Sequence, residues 1–214
     1  FKSAYADERF YGRKSAYRRK FPETMRLDAY LSSVHGITRA KAKQMIERGM
    51  VSLNGKTADK PAASVDDGDD VVIEKFPEYA SFGGEKLAKA LRDFNFSVEN
   101  MVCADIGASN GGFTSCLLMN GAAKVYAVDD NLGAQCDFVC IDVSFISLEL
   151  ILPAAAGLIG EGGHIISLIK PQFEVGKKAL SKRGIVVNAR ERERAVDKIR
   201  GAAAACGLLE ENFT

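Results

Sequence analysis

Apolar residues recur at helical spacing from Met25 onward. The first run predicts a short helix with one apolar face, at positions i, i+3, i+4 and i+7: Leu27, Tyr30, Leu31 and Val34. Gly36 predicts the end of that helix. Thr38 suits the N-cap of a second helix, whose apolar face comprises Ala42, Met45 and Ile46.

Two short β-branched runs follow the predicted helix pair. Val51–Leu53 predicts a strand that enters a tight turn at Asn54-Gly55, because this dipeptide readily takes the positive φ values of hairpin turns. Val71–Ile73 predicts a later strand. The front of the chain is therefore expected to form a small α+β domain.

A different pattern begins with a helical period at Leu87, Leu91 and Phe94. Short apolar strands then alternate with helical stretches, which predicts a parallel sheet with helices on both faces. The fold class expected for this part is α/β, a doubly wound Rossmann-like sheet. The predicted strands are Val102–Ile106, Val125–Val128, Phe138–Ile141 and Ile165–Ile169.

These patterns predict the domain organisation. Residues 1–24 are interpreted as a basic arm or a non-native extension, residues 25–75 as the small domain, 76–81 as a linker and 82–214 as the larger domain. Only a few residues separate Val128 from Phe138, too few for a helix and another strand. We therefore expect a missing segment after residue 129, and an incomplete C-terminal end.

Charge is distributed unevenly although the formal net charge is only +1. Residues 1–60 contain fourteen Lys or Arg against six Asp or Glu, which indicates a cationic front half. The five cysteines form no CxxC pair and are interpreted as reduced core thiols. No membrane span or signal peptide is visible, so a cytoplasmic location without stable membrane insertion is expected.

A glycine-rich loop follows the Val102–Ile106 strand and precedes a helix. It resembles methyltransferase motif I, and its spacing Asp-x-Gly-x-x-x-Gly disfavours a nicotinamide cofactor because Ser109 replaces the second glycine of the dinucleotide pattern. The alternative is a simple strand-to-helix turn. The resemblance implies S-adenosylmethionine, with a candidate ribose-binding carboxylate at Asp129 after the next strand. The candidate cofactor residues in the loop are Asp105, Gly107, Ser109, Gly111, Gly112 and Phe113.

Charged residues stand at two further predicted strand ends, Asp142 and Lys170. In an open α/β sheet both are expected to face the ligand-binding crevice. The alternative is a structural salt bridge between them. Lys86 follows paired glycines at the start of a helix and supplies a second candidate lysine. His35 and His164 lack metal-ligand spacing, so no metal site is predicted.

Four ordered blocks make the chain resemble the TlyA family of rRNA 2′-O-methyltransferases. They are Ser81–Leu87, Asp105–Phe113, Asp142–Leu148 and Lys170–Lys177. The resemblance implies an FtsJ-type catalytic domain behind a ribosomal protein S-four-like (alpha-L) RNA-binding domain, with S-adenosylmethionine as cofactor. It also implies a Lys-Asp-Lys-Glu catalytic set, which maps to Lys86, Asp142 and Lys170. The family's glutamate falls beyond Thr214, and Phe82 replaces the arginine usual in its block.

Basic residues of the small domain are predicted to bind a phosphate backbone: Arg39, Lys41, Lys43, Arg48 and Lys56. The alternative is an ordinary solvated face. Beside a methyltransferase domain they predict ribosomal RNA or ribosomal subunits as partners, recognised by shape. Two other functions remain open, namely a catalytically weak RNA-binding protein of the same family and a haemolysin-type membrane-active protein.

Overall fold

The computed structural model describes residues 24–128 and 135–214. The predicted arm, residues 1–24, lies outside them apart from Thr24. The chain divides into two compact units between Glu78 and Tyr79.

The first unit combines two helices with short antiparallel strands. The helices pack against each other, β2 pairs with both β3 and β5, and β1 pairs with β4. The elements are β1 (Met25–Arg26), α1 (Leu27–His35), α2 (Arg39–Glu47), β2 (Val51–Leu53), β3 (Lys56–Thr57), β4 (Ser64–Val65) and β5 (Val71–Ile73).

The caps and turns predicted for this unit are confirmed. Gly36 ends α1 with a left-handed φ of 65°, and the Thr38 side chain accepts a hydrogen bond from the Lys41 amide at the start of α2. Asn54 and Gly55 have φ values of 51° and 73° between β2 and β3. Local sequence chemistry therefore sets the ends of these elements.

Asp28 is the main buried charge of the first unit. Its side chain is 6% exposed and accepts hydrogen bonds from Arg26 and Arg39 at 2.9–3.0 Å. The hydrogen bond from Arg26 is the largest cause that lowers the pKa of Asp28 to about 2, and Arg39 contributes. This ion-pair group ties β1 and the start of α1 to the start of α2.

The second unit is a parallel four-stranded sheet in the order β7-β6-β8-β9. Helices cover both faces, so the predicted doubly wound fold is confirmed. Its elements are α3 (Gly84–Asp93), β6 (Val102–Ile106), α4 (Gly112–Met119), β7 (Lys124–Val128), β8 (Cys136–Ile141), α5 (Leu148–Leu158), β9 (Ile159–Ser167), α6 (Pro171–Glu174) and α7 (Ala189–Ala205).

The central strand β8 shows how one strand serves two cores. Phe138 and Cys140 point into a cluster formed with α3 and α4, whereas Val139 and Ile141 point into a cluster formed with α5 and α7. All four side chains are fully buried. This alternation is why the strand is nearly continuously apolar.

The last strand differs from its predicted bounds. The prediction was Ile165–Ile169, but β9 runs from Ile159 to Ser167. Gly160, Gly162 and Gly163 lie in its first half and interrupt the apolar pattern. The sequence pattern therefore did not predict this half as a strand. Lys170 consequently stands after a short link, Leu168 and Ile169, and immediately before α6, rather than directly after the strand as predicted.

Among the described residues, no helix has both the length and the apolar character needed to cross a membrane. The same residues contain no group of three or more His, Cys, Asp or Glu side chains arranged to hold a metal ion.

We expect Asp28→Asn to destabilise the first unit by about 1–2 kcal/mol at pH 7, because the two arginines lose their charged partner. A carboxylate whose pKa is lowered on folding stabilises the fold above its unfolded value of 3.8, and this stabilisation is lost as pH falls towards about 2. Hydrogen exchange of peptides from residues 24–78, measured in the full chain across this range, reports the difference.

The matched control is Glu47→Gln, which breaks an exposed pair with Lys43 at 3.7 Å and should change little at any pH. An Asp28→Asn effect that persists undiminished at pH 2 would contradict the ion-pair explanation.

Candidate active site

The two central strands, β6 and β8, create the crevice of the second unit. The chain leaves β6 towards α4, whereas it leaves β8 towards α5 on the other face, so the two connections diverge at the carboxyl edge of the sheet. Gly107 lies at this divergence with a φ of 85°, and a Cβ there would stand 2.8 Å from the Asp142 carbonyl oxygen. Glycine allows the two connections to approach this closely.

Asp142 brings the predicted lysines together immediately after β8. Lys86 Nζ lies 3.2 Å from Asp142 Oδ2, and Lys170 Nζ lies 2.5 Å from Asp142 Oδ1 as an ion pair. Lys86 comes from the first turn of α3 and Lys170 from the link between β9 and α6. Three separate parts of the sequence thus place two ammonium groups on one carboxylate.

Ser144 is a further member of this group that the sequence did not single out. Its Oγ accepts a hydrogen bond of 2.8 Å from Lys170 Nζ. The Lys170 side chain is 18% exposed, whereas that of Lys86 is 51% exposed. Lys170 is therefore fixed from two sides, and Lys86 remains accessible to solvent.

The predicted glycine loop packs against the segment that precedes α3. A Cβ on Gly112 would lie 2.3 Å from Ser81 Oγ and 2.9 Å from the Gly84 amide nitrogen, and a Cβ on Gly84 would meet the Tyr79 ring. Gly111 adopts a left-handed φ of 72° as the N-cap of α4. The starts of α3 and α4 are thus locked together, which places Lys86 beside the loop.

Asp105, on β6, is fully buried beneath that loop. Its Oδ2 accepts a hydrogen bond of 2.6 Å from Thr114 Oγ1, but its Oδ1 has no hydrogen-bond partner within the described structure. Burial raises the pKa of Asp105, and the nearby negative charge of Asp142 adds a smaller contribution in the same direction. A buried acceptor without a partner below a glycine cradle fits a ligand that donates hydrogen bonds.

The remaining predicted cofactor residues are placed differently. Ser109 is exposed in the loop with a φ of 47°. Phe113 is 6% exposed, and its ring belongs to the core cluster with Leu87 and Leu117 rather than to the crevice surface. Asp129, the predicted ribose ligand, lies outside the described residues.

Glu174 joins the two connections that carry Asp142 and Lys170. Its carboxylate, 2% exposed, accepts hydrogen bonds from Ser147 Oγ at 2.5 Å and from the Leu148 amide at 2.9 Å, at the N-terminus of α5. Lys198 of α7 reaches both Ser147 Oγ and Glu174 Oε2. No local sequence pattern indicates this contact, because Glu174 and its partners are 24–27 residues apart.

An exposed aromatic side chain borders the lysine group. Phe145 is 91% exposed and has a φ of 65°, which is unusual for a bulky residue. Its ring contacts that of Phe173, with centroids 5.2 Å apart. The apolar face beside Ser144 is thus held in a strained backbone conformation, as often found at functional sites.

The predicted RNA-binding residues of the first unit lie on two flanks of α2. Helical spacing puts Arg39 and Lys43 on one side of its buried face and Lys41 and Arg48 on the other. Arg39 is paired with Asp28, and burial lowers the pKa of Lys41. Lys56 is exposed on β3.

Comparison with known protein families identifies the family to which the second unit belongs. Residues 79–134 and 130–208 match the model of the FtsJ-like methyltransferases. The chain belongs to the FtsJ-like methyltransferase family. Members of this family depend on S-adenosylmethionine in general, and residues 25–71 of this FtsJ-like chain match the S4 domain.

Relatives of this FtsJ-like chain carry two kinds of name. It is 37% identical to Hemolysin A of Brachyspira hyodysenteriae over 89% of this chain and 92% of that protein. It is 35% identical to the 16S/23S rRNA (cytidine-2′-O)-methyltransferase TlyA of Mycobacterium tuberculosis over 74% of this chain and 71% of that protein. A solved hemolysin-type structure from Streptococcus thermophilus aligns with a TM-score of 0.63 at 36% identity, covering 86% of this chain and 79% of that one. The resemblance to the TlyA family is thereby confirmed.

We expect Asp105→Asn to stabilise the second unit at neutral pH. A carboxyl whose pKa is raised on folding favours the fold below its unfolded value of 3.8, and this contribution is lost as pH rises through the raised value. Asparagine stays neutral and can still accept from Thr114. In thermal unfolding between pH 4 and pH 8, the melting temperature of the variant should rise relative to that of the unmodified protein as pH rises.

Glu210→Gln is a control of opposite sign, since Arg200 lowers the pKa of Glu210 on folding. An Asp105→Asn protein that is less stable than the unmodified one at pH 8 would contradict this prediction. It would show that hydrogen bonds in the folded protein compensate the buried carboxylate.

Glu174→Ala should destabilise the second unit by about 3 kcal/mol, because it leaves Ser147, Leu148 and Lys198 without their acceptor. Glu174→Gln keeps an acceptor and should cost about 1 kcal/mol. Urea unfolding of the full chain measures both values. Equal effects of the two substitutions would refute the role assigned to the charge and its hydrogen bonds.

Proposed function

We propose that this chain transfers the methyl group of S-adenosylmethionine to a ribose 2′-oxygen in ribosomal RNA. The observation that carries the proposal is the convergence of Lys86 and Lys170 on the Asp142 carboxylate, at the edge where the glycine cradle also lies. The names of TlyA relatives in the same family support the choice of reaction and substrate.

A purely structural salt bridge accounts poorly for the group formed by Lys86, Asp142 and Lys170. One carboxylate and one lysine neutralise each other, so a second lysine adds an unbalanced positive charge at a site that is 16–18% exposed at Asp142 and Lys170. Such an excess is expected where negative charge develops during a reaction. The predicted alternative, a simple Asp142–Lys170 bridge, leaves Lys86 without a role.

The residues fit S-adenosylmethionine as the methyl donor. The unpartnered Asp105 Oδ1 can accept from a donor group of the ligand, while Gly107 and Gly111 keep the cradle free of side chains. Ser109 stands at its rim, and we assign Asp129, Gly112 and the Phe113 backbone to the same site. The bound cofactor supplies an electrophilic methyl group.

Lys170 is assigned the closest contact with the target oxygen. Its ammonium group is held by Asp142 and Ser144, so it needs no reorganisation to stabilise the alkoxide character that develops on the ribose 2′-oxygen. Lys86 adds a second positive charge, and Asp142 orients both lysines. As the oxygen–methyl bond forms, the methyl–sulfur bond of the donor breaks and the 2′-hydroxyl proton is released to solvent, so catalysis rests on positioning and fixed charge.

RNA recognition is assigned to both units. The S4 domain presents Arg39, Lys41, Lys43, Arg48 and Lys56, which can neutralise backbone phosphates. The exposed ring of Phe145 beside Ser144 offers a surface on which an unstacked base can rest. Ribosomal RNA or a ribosomal subunit is the substrate that agrees with these features, and we infer a cytoplasmic location from that substrate.

We expect Lys170→Met to lower the rate of methyl transfer about 100- to 1,000-fold. The substitution removes the ammonium group while retaining a side chain of similar length. The measurement is incorporation of labelled methyl from S-adenosylmethionine into unmodified rRNA and ribosomal subunits at saturating substrate, together with the dissociation constant of the cofactor, which should change little.

Lys89→Met is the matched control, because Lys89 lies on α3 and, among the described residues, forms an ion pair only with Asp93 of its own helix. It should retain full activity. Cofactor binding without incorporation into any rRNA substrate by the unmodified protein would instead favour the competing function, an RNA-binding protein without turnover.

A further inference from the structure

The connection between α6 and α7 has an unusual charge pattern. Together with the first turn of α7 it spans residues 175–190, which contain five cations and no carboxylate. They are Lys177, Lys178, Lys182, Arg183 and Arg190, all of them exposed.

The cations of this connection also lack the partners found elsewhere in the unit. Six other lysines and arginines of residues 79–214 form ion pairs with carboxylates, including Lys89, Lys198 and Arg200. Within the described structure none of the five does so, and the other cations without an ion pair, Arg92, Lys124 and Arg192, are scattered over three different elements. Unbalanced, exposed positive charge on an ordered segment is typical of a surface that binds a polyanion.

Lys182 and Arg183 are held at the tip of a well-defined turn. The Gly184 amide donates to the Ser181 carbonyl and the Ser181 amide donates to the Ile185 carbonyl, both at 2.9 Å. Gly184 has a φ of 72°, and Val186 next to the turn is 5% exposed and anchors it. The two side chains are therefore presented outward from a fixed backbone, which lowers the entropy lost on binding.

The topology places this turn at the edge of the sheet that carries the proposed site. The connection begins at α6, directly after Lys170, where Glu174 binds the N-terminus of α5. It ends at the start of α7, and Lys198, further along that helix, reaches the same Ser147 hydroxyl. The connection thus starts at the carboxyl edge of the parallel strands and leads into a helix packed beside it, so we place the turn on the side where Asp142 lies.

We propose that the Lys182-Arg183 turn binds the phosphate backbone of the RNA strand next to the target ribose. This surface belongs to the catalytic unit and is separate from the basic residues of the S4 domain. The inference rests on the proposed function for the identity of the strand, but RNA binding by the turn is measurable without turnover.

The test compares the full-length double variant Lys182→Gln/Arg183→Gln with the unmodified chain. Loss of two phosphate contacts should weaken binding to unmodified rRNA about tenfold near 0.1 M salt and reduce the slope of log affinity against log salt by about 1.5. The KM for rRNA should rise by a similar factor, with kcat, cofactor affinity and melting temperature unchanged.

Arg92→Gln/Lys124→Gln is the matched control, with the same loss of two exposed charges. Arg92 lies in the last turn of α3 and Lys124 begins β7, so both lie towards the opposite, amino edge of the strands. An equal loss of affinity in this control, or an unchanged salt slope in the turn variant, would overturn the proposal.

Two other results would distinguish failure of the proposed enzyme function from failure of the proposed RNA-binding surface. A turn variant that loses affinity for rRNA in a chain that never transfers methyl would support the surface and refute the enzyme function. A variant that loses affinity for ribosomal subunits but not for naked rRNA would overturn the RNA proposal and indicate an acidic protein as the partner.

Discussion

The candidate site depends on the parallel arrangement of the four strands in the second unit. Because their carboxyl ends meet at one edge, residues far apart in sequence, Lys86, Asp142 and Lys170, can converge there. The close approach at Gly107 and the contact between Gly112 and Ser81 draw the connections together. Close packing against these two glycines thus determines where the charges stand, and a side chain at either glycine would separate them.

The same edge combines groups that are costly for folding and useful for binding. Asp105 is buried with one oxygen unsatisfied, Phe145 has a positive φ with its ring exposed, and two lysines share one carboxylate. The rest of the unit shows the opposite tendency, since residues 138–141 of β8 are apolar and fully buried and Glu174 meets three donors at the start of α5 and on α7. Stability of the surrounding core allows the site to retain these unfavourable features.

Much of the fold can be predicted from local sequence signals, but many of the contacts that hold the candidate site in place cannot. Gly36, Thr38 and Asn54-Gly55 were predictable because each acts through its own backbone conformation. Asp142 and Lys170 were predictable because the apolar runs of β8 and β9 end close before them, and Lys86 because the paired glycines before it indicate the start of a helix. The first half of β9 was missed because its glycines interrupt that run, and Ser144, Glu174 and the Asp28–Arg39 pair were missed because long-range contacts leave no periodic pattern.

Determining which atom receives the methyl group tests the central claim most directly. Ribosomal RNA labelled by the unmodified protein can be hydrolysed with alkali, which requires a free 2′-hydroxyl at the cleaved nucleotide. We expect the label in alkali-resistant dinucleotides, because a ribose 2′-O-methyl group blocks cleavage. Label recovered in ordinary mononucleotides would place the methyl group on a base and contradict the role assigned to the Lys86–Asp142–Lys170 group.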